Sequence, residues 1–346
     1  MCSFLRTHRY TGWFCGSFQI QRPSDVSTSA TVALDGTALH FTEGLPITRD
    51  WLDYIHTLYH HHHHEQEKEQ QYITAATATA NVATAHLPSP APTLPFILSH
   101  HPTSPAKAIV VIEKEGIYHR LVEELDYFIS AGLPCIFVTG KGYPDLATRG
   151  CVASMYLSRV GPPPLSHDDE ERYKHGHPQH QRTPRMPVVG ICDCNPYGVH
   201  VLQTYRTGGS DTALNEEERH MYSCPALDWI GLYPSAVKDL YESRELPRSV
   251  FQQMTRRDMT RLEGSMEIFE MEQQQLLVED EDADGGEIIR GEGGEVEESG
   301  HLQELRVMQQ LGYKVELEAL HWLGMDYLTE WVKDLLVEYL DQWDRC

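Results

Sequence analysis

Short apolar runs bounded by polar residues recur through the middle of this chain. Ala108–Glu113 reads AIVVIE, Pro134–Gly140 PCIFVTG, Val188–Asp193 VVGICD and Ala226–Leu232 ALDWIGL. None alternates apolar with polar residues, so each predicts a strand buried on both faces. Between them the apolar spacing becomes helical. Gly116–Ala131 puts Ile117, Leu121, Leu125, Phe128 and Ile129 on one face, with Gly132 as the stop. The segment from Asp145 predicts a second helix. Asn195-Pro196 opens a third, with Asn195 as cap, Pro196 at the first position, and Val199, Leu202 and Tyr205 on one stripe. Ser235–Tyr241 follows the fourth run. Strands separated by helices predict an α/β fold, a mostly parallel sheet with flanking helices. Leu302–Trp343 predicts a helical C-terminal part, in which Leu328, Val332, Leu335, Tyr339 and Trp343 form one stripe.

Three segments break the pattern and read as insertions. Residues 60–95 begin with five histidines and pass through TAATATANVATA to a Pro-rich end. Residues 161–187 are polar and rich in Pro and His. Residues 279–300 hold ten acids and one arginine, which supplies about nine of the net −23 charges. Such compositions cannot bury a core, so all three are expected to be disordered loops. The net charge argues against a nucleic-acid partner only if it is evenly spread, and it is not. No apolar run of membrane-spanning length occurs, the N-terminus lacks a signal-peptide core, and the eight cysteines form no paired framework. Reduced thiols are expected.

The candidate chemistry lies where the runs end. Parallel strands deliver their carboxyl ends to one edge, where open α/β sheets bind ligands. The first run ends on Glu113 and the third on Asp193, two residues before Asn195. Two carboxylates and a neutral oxygen make a hard-oxygen set suited to Mg²⁺. An Asp at such a position also serves as a helix cap, and both readings stand. The second run ends in Thr139-Gly140-Lys141-Gly142, where glycines permit close backbone approach to an anion and Lys141 brings a charge. The P-loop spacing is absent. A nucleotide enzyme of this architecture would carry a Gly-rich turn after its first strand, and Glu113-Lys114-Glu115-Gly116 is not one.

Taken together, EKEGIYHRL, VTGKGYPDLATRG and DCNPYGVHVLQTYRTGG resemble the Toprim domain of one family. It comprises the A subunit of DNA topoisomerase VI and its meiotic relative, the sporulation-eleven recombination protein. ALDWIGLYPSAVKDL and KVELEALHWLGMDYLTEWV extend the likeness over roughly Ala106–Tyr339. The implied organisation is a winged-helix remnant and junction over 1–50, then a Rossmann-like Toprim domain over 106–346. The resemblance implies an Mg²⁺-dependent subunit in which tyrosine attacks a DNA backbone phosphate. Glu113 and Asp193 match the family's metal acids, and Asn195 stands where many members have a second Asp.

The resemblance further implies double-stranded DNA as partner, a homodimer, a B-type ATPase partner in the topoisomerase, and a nuclear, chromosome-associated location. The family's tyrosine sits in an Arg-Asp-x-Tyr-Tyr context upstream of the junction. That motif is not found in this chain, and Tyr10, Tyr54 and Tyr59 stand in other contexts. No strand cleavage by this chain is therefore expected. The alternative reading is a Toprim module that binds DNA without cleaving it. In either, Lys114, Lys141, Arg149 and Arg206 are the candidate contacts to DNA phosphates, because the first three follow strands one and two at the expected edge and Arg206 follows the helix after strand three.

Overall fold

The computed structural model describes residues 12–22, 32–35, 45–47, 97–100, 105–157, 186–209, 214–283, 299–343 and 345. The whole of segment 60–95 and most of the other two predicted insertions, together with Tyr10, Tyr54 and Tyr59, lie outside them, so the expectations placed there are not addressed. Five strands precede the first predicted one: β1 (Trp13–Gly16), β2 (Phe18–Arg22), β3 (Val32–Asp35), β4 (Leu45–Pro46) and β5 (Ile97–His100). Then come β6 (Ala108–Ile112), α1 (Glu115–Glu123), α2 (Leu125–Ser130), β7 (Cys135–Thr139), α3 (Leu146–Leu157), β8 (Val188–Ile191), α4 (Pro196–Thr207), α5 (Glu216–His220) and β9 (Leu227–Gly231). The remainder is α6 (Pro234–Ser243), β10 (Gln252–Gln253), α7 (Arg256–Ala283), α8 (Gly300–Leu311), β11 (Tyr313–Lys314) and α9 (Tyr327–Trp343), with 3₁₀ turns at Arg248–Val250 and Leu317–Leu323.

Six strands make the main sheet in the order β4-β1-β7-β6-β8-β9. The four predicted strands run parallel, and β1 joins antiparallel at the side of β7. Every residue of β6, β7 and β8 is buried, as unbroken apolar strands covered on both faces require. Helix α1 lays Ile117, Tyr118, Leu121 and Val122 on the sheet, and α4 lays Val199, Val201, Leu202 and Tyr205. Each such side chain contributes about 1.5–3 kcal/mol by leaving water. Gly190 lets α4 approach closely: a Cβ there would stand 2.7 Å from Leu202. Outside α4 lies α7, tied to it by Gln203 Nε2 donating to the Ser265 carbonyl at 2.8 Å.

Three expectations are corrected. The helix read across Gly116–Ala131 is two, broken at Glu124 (φ −99°, ψ 17°), although Leu125 and Phe128 stay buried. The C-terminal part is not helical throughout. Gly312 (φ +67°) ends α8 in the left-handed region, where a side chain would be strained. An extended stretch follows, with β11 paired to β10 and Val315 bridged to Cys194. Finally, α7 continues through Ala283 and Ser299 caps α8, so the ends of the acidic segment belong to helices. A helix already nucleated extends at one hydrogen bond per residue, which composition alone does not reveal. The expected front remnant also contributes to the main sheet, since β1 and β4 are strands of it.

Candidate functional site at the carboxyl edge of the sheet

Glu113 and Asp193 are brought together. The β6–β8 ladder continues one residue past β6, with Glu113 N–H donating to the Ile191 carbonyl at 3.1 Å. The chain then turns at both strands on the same edge. The Asp193 N–H donates to Glu113 Oε2 at 3.1 Å. Burial, with Asp193 alongside, raises the Glu113 carboxyl from 4.5 to about 7. Burial also raises Asp193, opposed by the N–H of Leu317, which donates to Asp193 Oδ1 at 2.8 Å. Two carboxylates held close and partly out of water are costly unless a cation joins them.

Asn195 caps α4. Its Oδ1 accepts the N–H of Tyr197 at 2.9 Å and of Gly198 at 2.8 Å. The capping role read from sequence is therefore present, and both lone pairs of that oxygen point into the helix. Gly198 completes the corner. A Cβ there would lie 2.8 Å from the Asp193 carbonyl and 3.1 Å from Glu113 Oε2.

The loop after β7 closes the other side, because Gly142 N–H donates to the Glu113 carbonyl at 2.8 Å. Gly142 (φ +95°) and Lys141 (φ +56°) both take left-handed backbone. Gly140 serves packing, since a Cβ would meet Tyr205 and Pro144 within 3 Å. Lys141 pairs with Glu115 at 2.6 Å and lies 4.9 Å over the Trp13 ring. Tyr143 is half-exposed, and its hydroxyl meets His200 Nδ1 at 3.0 Å. Arg261 stands over Tyr197 nearby.

Two of the four expected phosphate contacts are placed differently. Arg149 is 6 % exposed and donates to the Gly208 carbonyl. Arg206 donates to the Leu227 carbonyl and pairs with Glu272 at 2.8 Å. Both guanidiniums hold the fold in this conformation. Lys114 is at the site itself, 3.4 Å from Asp193, 3.2 Å from Glu316 and 2.7 Å from Glu318. Burial alone would lower the pKa of its ammonium, but Glu318 and Asp193 hold it above the usual value.

Glu316 and Glu318 escaped the reading of the sequence. The alternation Val315, Glu316, Leu317, Glu318, in which the two apolar residues are buried and the two acids are not, marks the stretch as extended but does not reveal Lys114 as the partner of the acids. Among the described residues no group of three or more His, Cys, Asp and Glu is gathered in metal-binding geometry. The donor chemistry of Glu113 and Asp193 nonetheless fits a divalent ion that keeps most of its waters. Six described cysteines are buried free thiols. No described helix is long and apolar enough to cross a membrane.

Part of this chain is similar in sequence to known proteins. The family model for the Toprim domain of Spo11 and of the topoisomerase 6 A subunit matches residues 108–159 and 180–334, more than half of the chain. The rice "Meiotic recombination protein SPO11-2" is 32% identical over 157 residues, covering 45% of this chain and 31% of that protein. The mouse "Meiotic recombination protein SPO11" is 28% identical over 164 residues, covering 47% and 33%. The A subunit of DNA topoisomerase 6 from Arabidopsis is 28% identical over 156 residues, covering 45% and 28%. The match thus spans about a third of the length of these relatives. By this match over more than half of its length, the chain belongs to the family of Spo11 and the topoisomerase 6 A subunit, with the Toprim domain as the matched part.

Proposed function

We propose that this chain is the cation- and DNA-holding part of an A-type subunit that acts on double-stranded DNA at meiotic chromosomes in the nucleus. The observation that carries the reading is the buried pair Glu113 and Asp193 at the edge where parallel sheets bind ligands. Glu113 and Asp193 would hold Mg²⁺, while the Oδ1 of Asn195 is engaged in capping α4. When bound, the ion would neutralise and polarise a backbone phosphate.

The chain's own residues then position the duplex. Lys141 exchanges Glu115 for a phosphate. Tyr143, half-exposed and oriented by His200, offers an aromatic surface beside it. Arg149 and Arg206 fix α3 and α4 behind this edge. The contacts are to the backbone, so binding is indifferent to base sequence and falls with salt. A homodimer and a B-type ATPase partner belong to the same reading.

Calorimetry tests the metal half: wild type takes up Mg²⁺ and Glu113→Ala does not, and equal uptake by both defeats the reading. A gel-shift titration tests the DNA half, with Mg²⁺ strengthening binding and Lys141→Ala weakening it. The attacking tyrosine is not assigned to this chain. Incubation with labelled supercoiled DNA followed by detergent is expected to leave no label on the protein. A retained label would show that this chain can attack DNA.

A further inference from the structure

The ammonium of Lys114 touches three carboxylates contributed by two distant parts of the chain. Asp193 Oδ2 lies at 3.4 Å, Glu316 Oε2 at 3.2 Å and Glu318 Oε2 at 2.7 Å. The shortest contact is the one farthest from the acid pair in sequence. Lys114 directly follows Glu113 and is the residue before α1, with extended backbone (φ −99°, ψ 126°) and no side-chain capping bond. Its side chain is therefore left to reach across the edge. The opposite wall is a strap: Val315 bridges Cys194, Leu317 N–H holds Asp193 Oδ1, and the alternation turns Glu316 and Glu318 toward Lys114. Asp193 thus has one oxygen fixed by the strap, while the other faces the ammonium.

A second cation close to Asp193 must share that oxygen with Lys114. Like charges at such distances repel by several kcal/mol at an effective dielectric near 20. We infer that Lys114 is a tethered counter-cation competing for Asp193, and that Glu316 and Glu318 hold its ammonium to the outer side so that a divalent ion can enter. The strap thereby sets the cation affinity of the site. The inference rests on the metal reading proposed above.

A mutant cycle separates this mechanism from general charge effects. Mg²⁺ and Mn²⁺ binding is measured by calorimetry on wild type, Lys114→Met, Glu316→Gln/Glu318→Gln and the triple variant, with melting temperatures to verify folding. Lys114→Met is expected to tighten binding about tenfold, or ~1.4 kcal/mol. Glu316→Gln/Glu318→Gln is expected to weaken it at least about fivefold, because the ammonium, now shared with Asp193 at 3.4 Å, would pair with Asp193 alone. In the Lys114→Met background the same two changes are expected to shift affinity less than about twofold. Equal weakening in both backgrounds means that the glutamates act only as charges, and overturns the inference while leaving the metal site standing. Lys114→Gln is the second probe where Met destabilises the edge. Glu113→Ala binding the ions as well as wild type does would remove the metal reading itself, and the inference with it.

Discussion

The backbone N–H of Leu317 donates to the carboxylate of Asp193 at 2.8 Å, across 124 residues of chain. This bond fixes the strap against the third parallel strand and leaves the second oxygen of Asp193 facing the Lys114 ammonium at 3.4 Å. Its worth is testable apart from charge. Asp193→Asn keeps an acceptor for the N–H, whereas Asp193→Ala leaves a buried donor unmade, at about 1–3 kcal/mol. The expected order of denaturant stability is therefore wild type near Asn, with Ala clearly lower. Both variants are expected to lose Mg²⁺ affinity by calorimetry.

Glu113 makes stability depend on pH. Its folded pKa, about 7, lies above the ordinary 4.5, so the folded state holds the proton more tightly than the unfolded chain does. Stability from this group is then fully present below pH 4.5 and is lost as pH rises to about 7. The loss is on the order of 2–3 kcal/mol. Urea unfolding without divalent ions, at pH 5 and at pH 8, is expected to show the wild type weaker at pH 8. Glu113→Gln is expected to flatten this component. An unchanged slope in the variant would assign the effect to another group.

Gly198 sets helix propensity against the site. In an ordinary helix, replacing Gly with Ala stabilises by about 1 kcal/mol. Here the added methyl meets the Asp193 carbonyl at 2.8 Å and Glu113 Oε2 at 3.1 Å. Gly198→Ala is expected to lower the melting temperature and weaken Mg²⁺ binding, with Gly264→Ala as the control. Gly264 lies in α7, where a Cβ meets nothing within 4 Å, so that change is expected to be neutral or stabilising.

The acidic segment is expected to act on DNA only through charge. Its first residues extend α7 and its last cap and open α8, so the part to replace is 284–298. A Gly-Ser linker of equal length there is expected to leave the melting temperature within about 1–2 °C, since the composition offers little apolar surface to bury. Duplex binding is expected to tighten at low salt and to converge with wild type near physiological salt, where screening reaches about 8 Å. Equal tightening at both salts would point to a direct block of the DNA edge.

Local pattern was enough to specify the four parallel strands, the cap and proline opening α4, and the acids that end on one edge. Those features follow from unbroken apolar runs, helical spacing, and the rule that parallel strands share a carboxyl edge. Other features exist only once the chain is packed. Arg149 and Arg206 read from sequence as candidate DNA-phosphate contacts, and only packing shows their guanidiniums engaged with carbonyls and Glu272. Asn195 looked like a metal oxygen as well as a cap, and only geometry shows Tyr197 and Gly198 occupying it. Glu316 and Glu318 sat in a stretch read as helix, because the apolar residues on either side do have helical spacing. Their place beside Lys114 depends on a glycine turn, a single bridge to Cys194 and a bond between residues 124 apart, and such long-range pairing has no local signature in the chain.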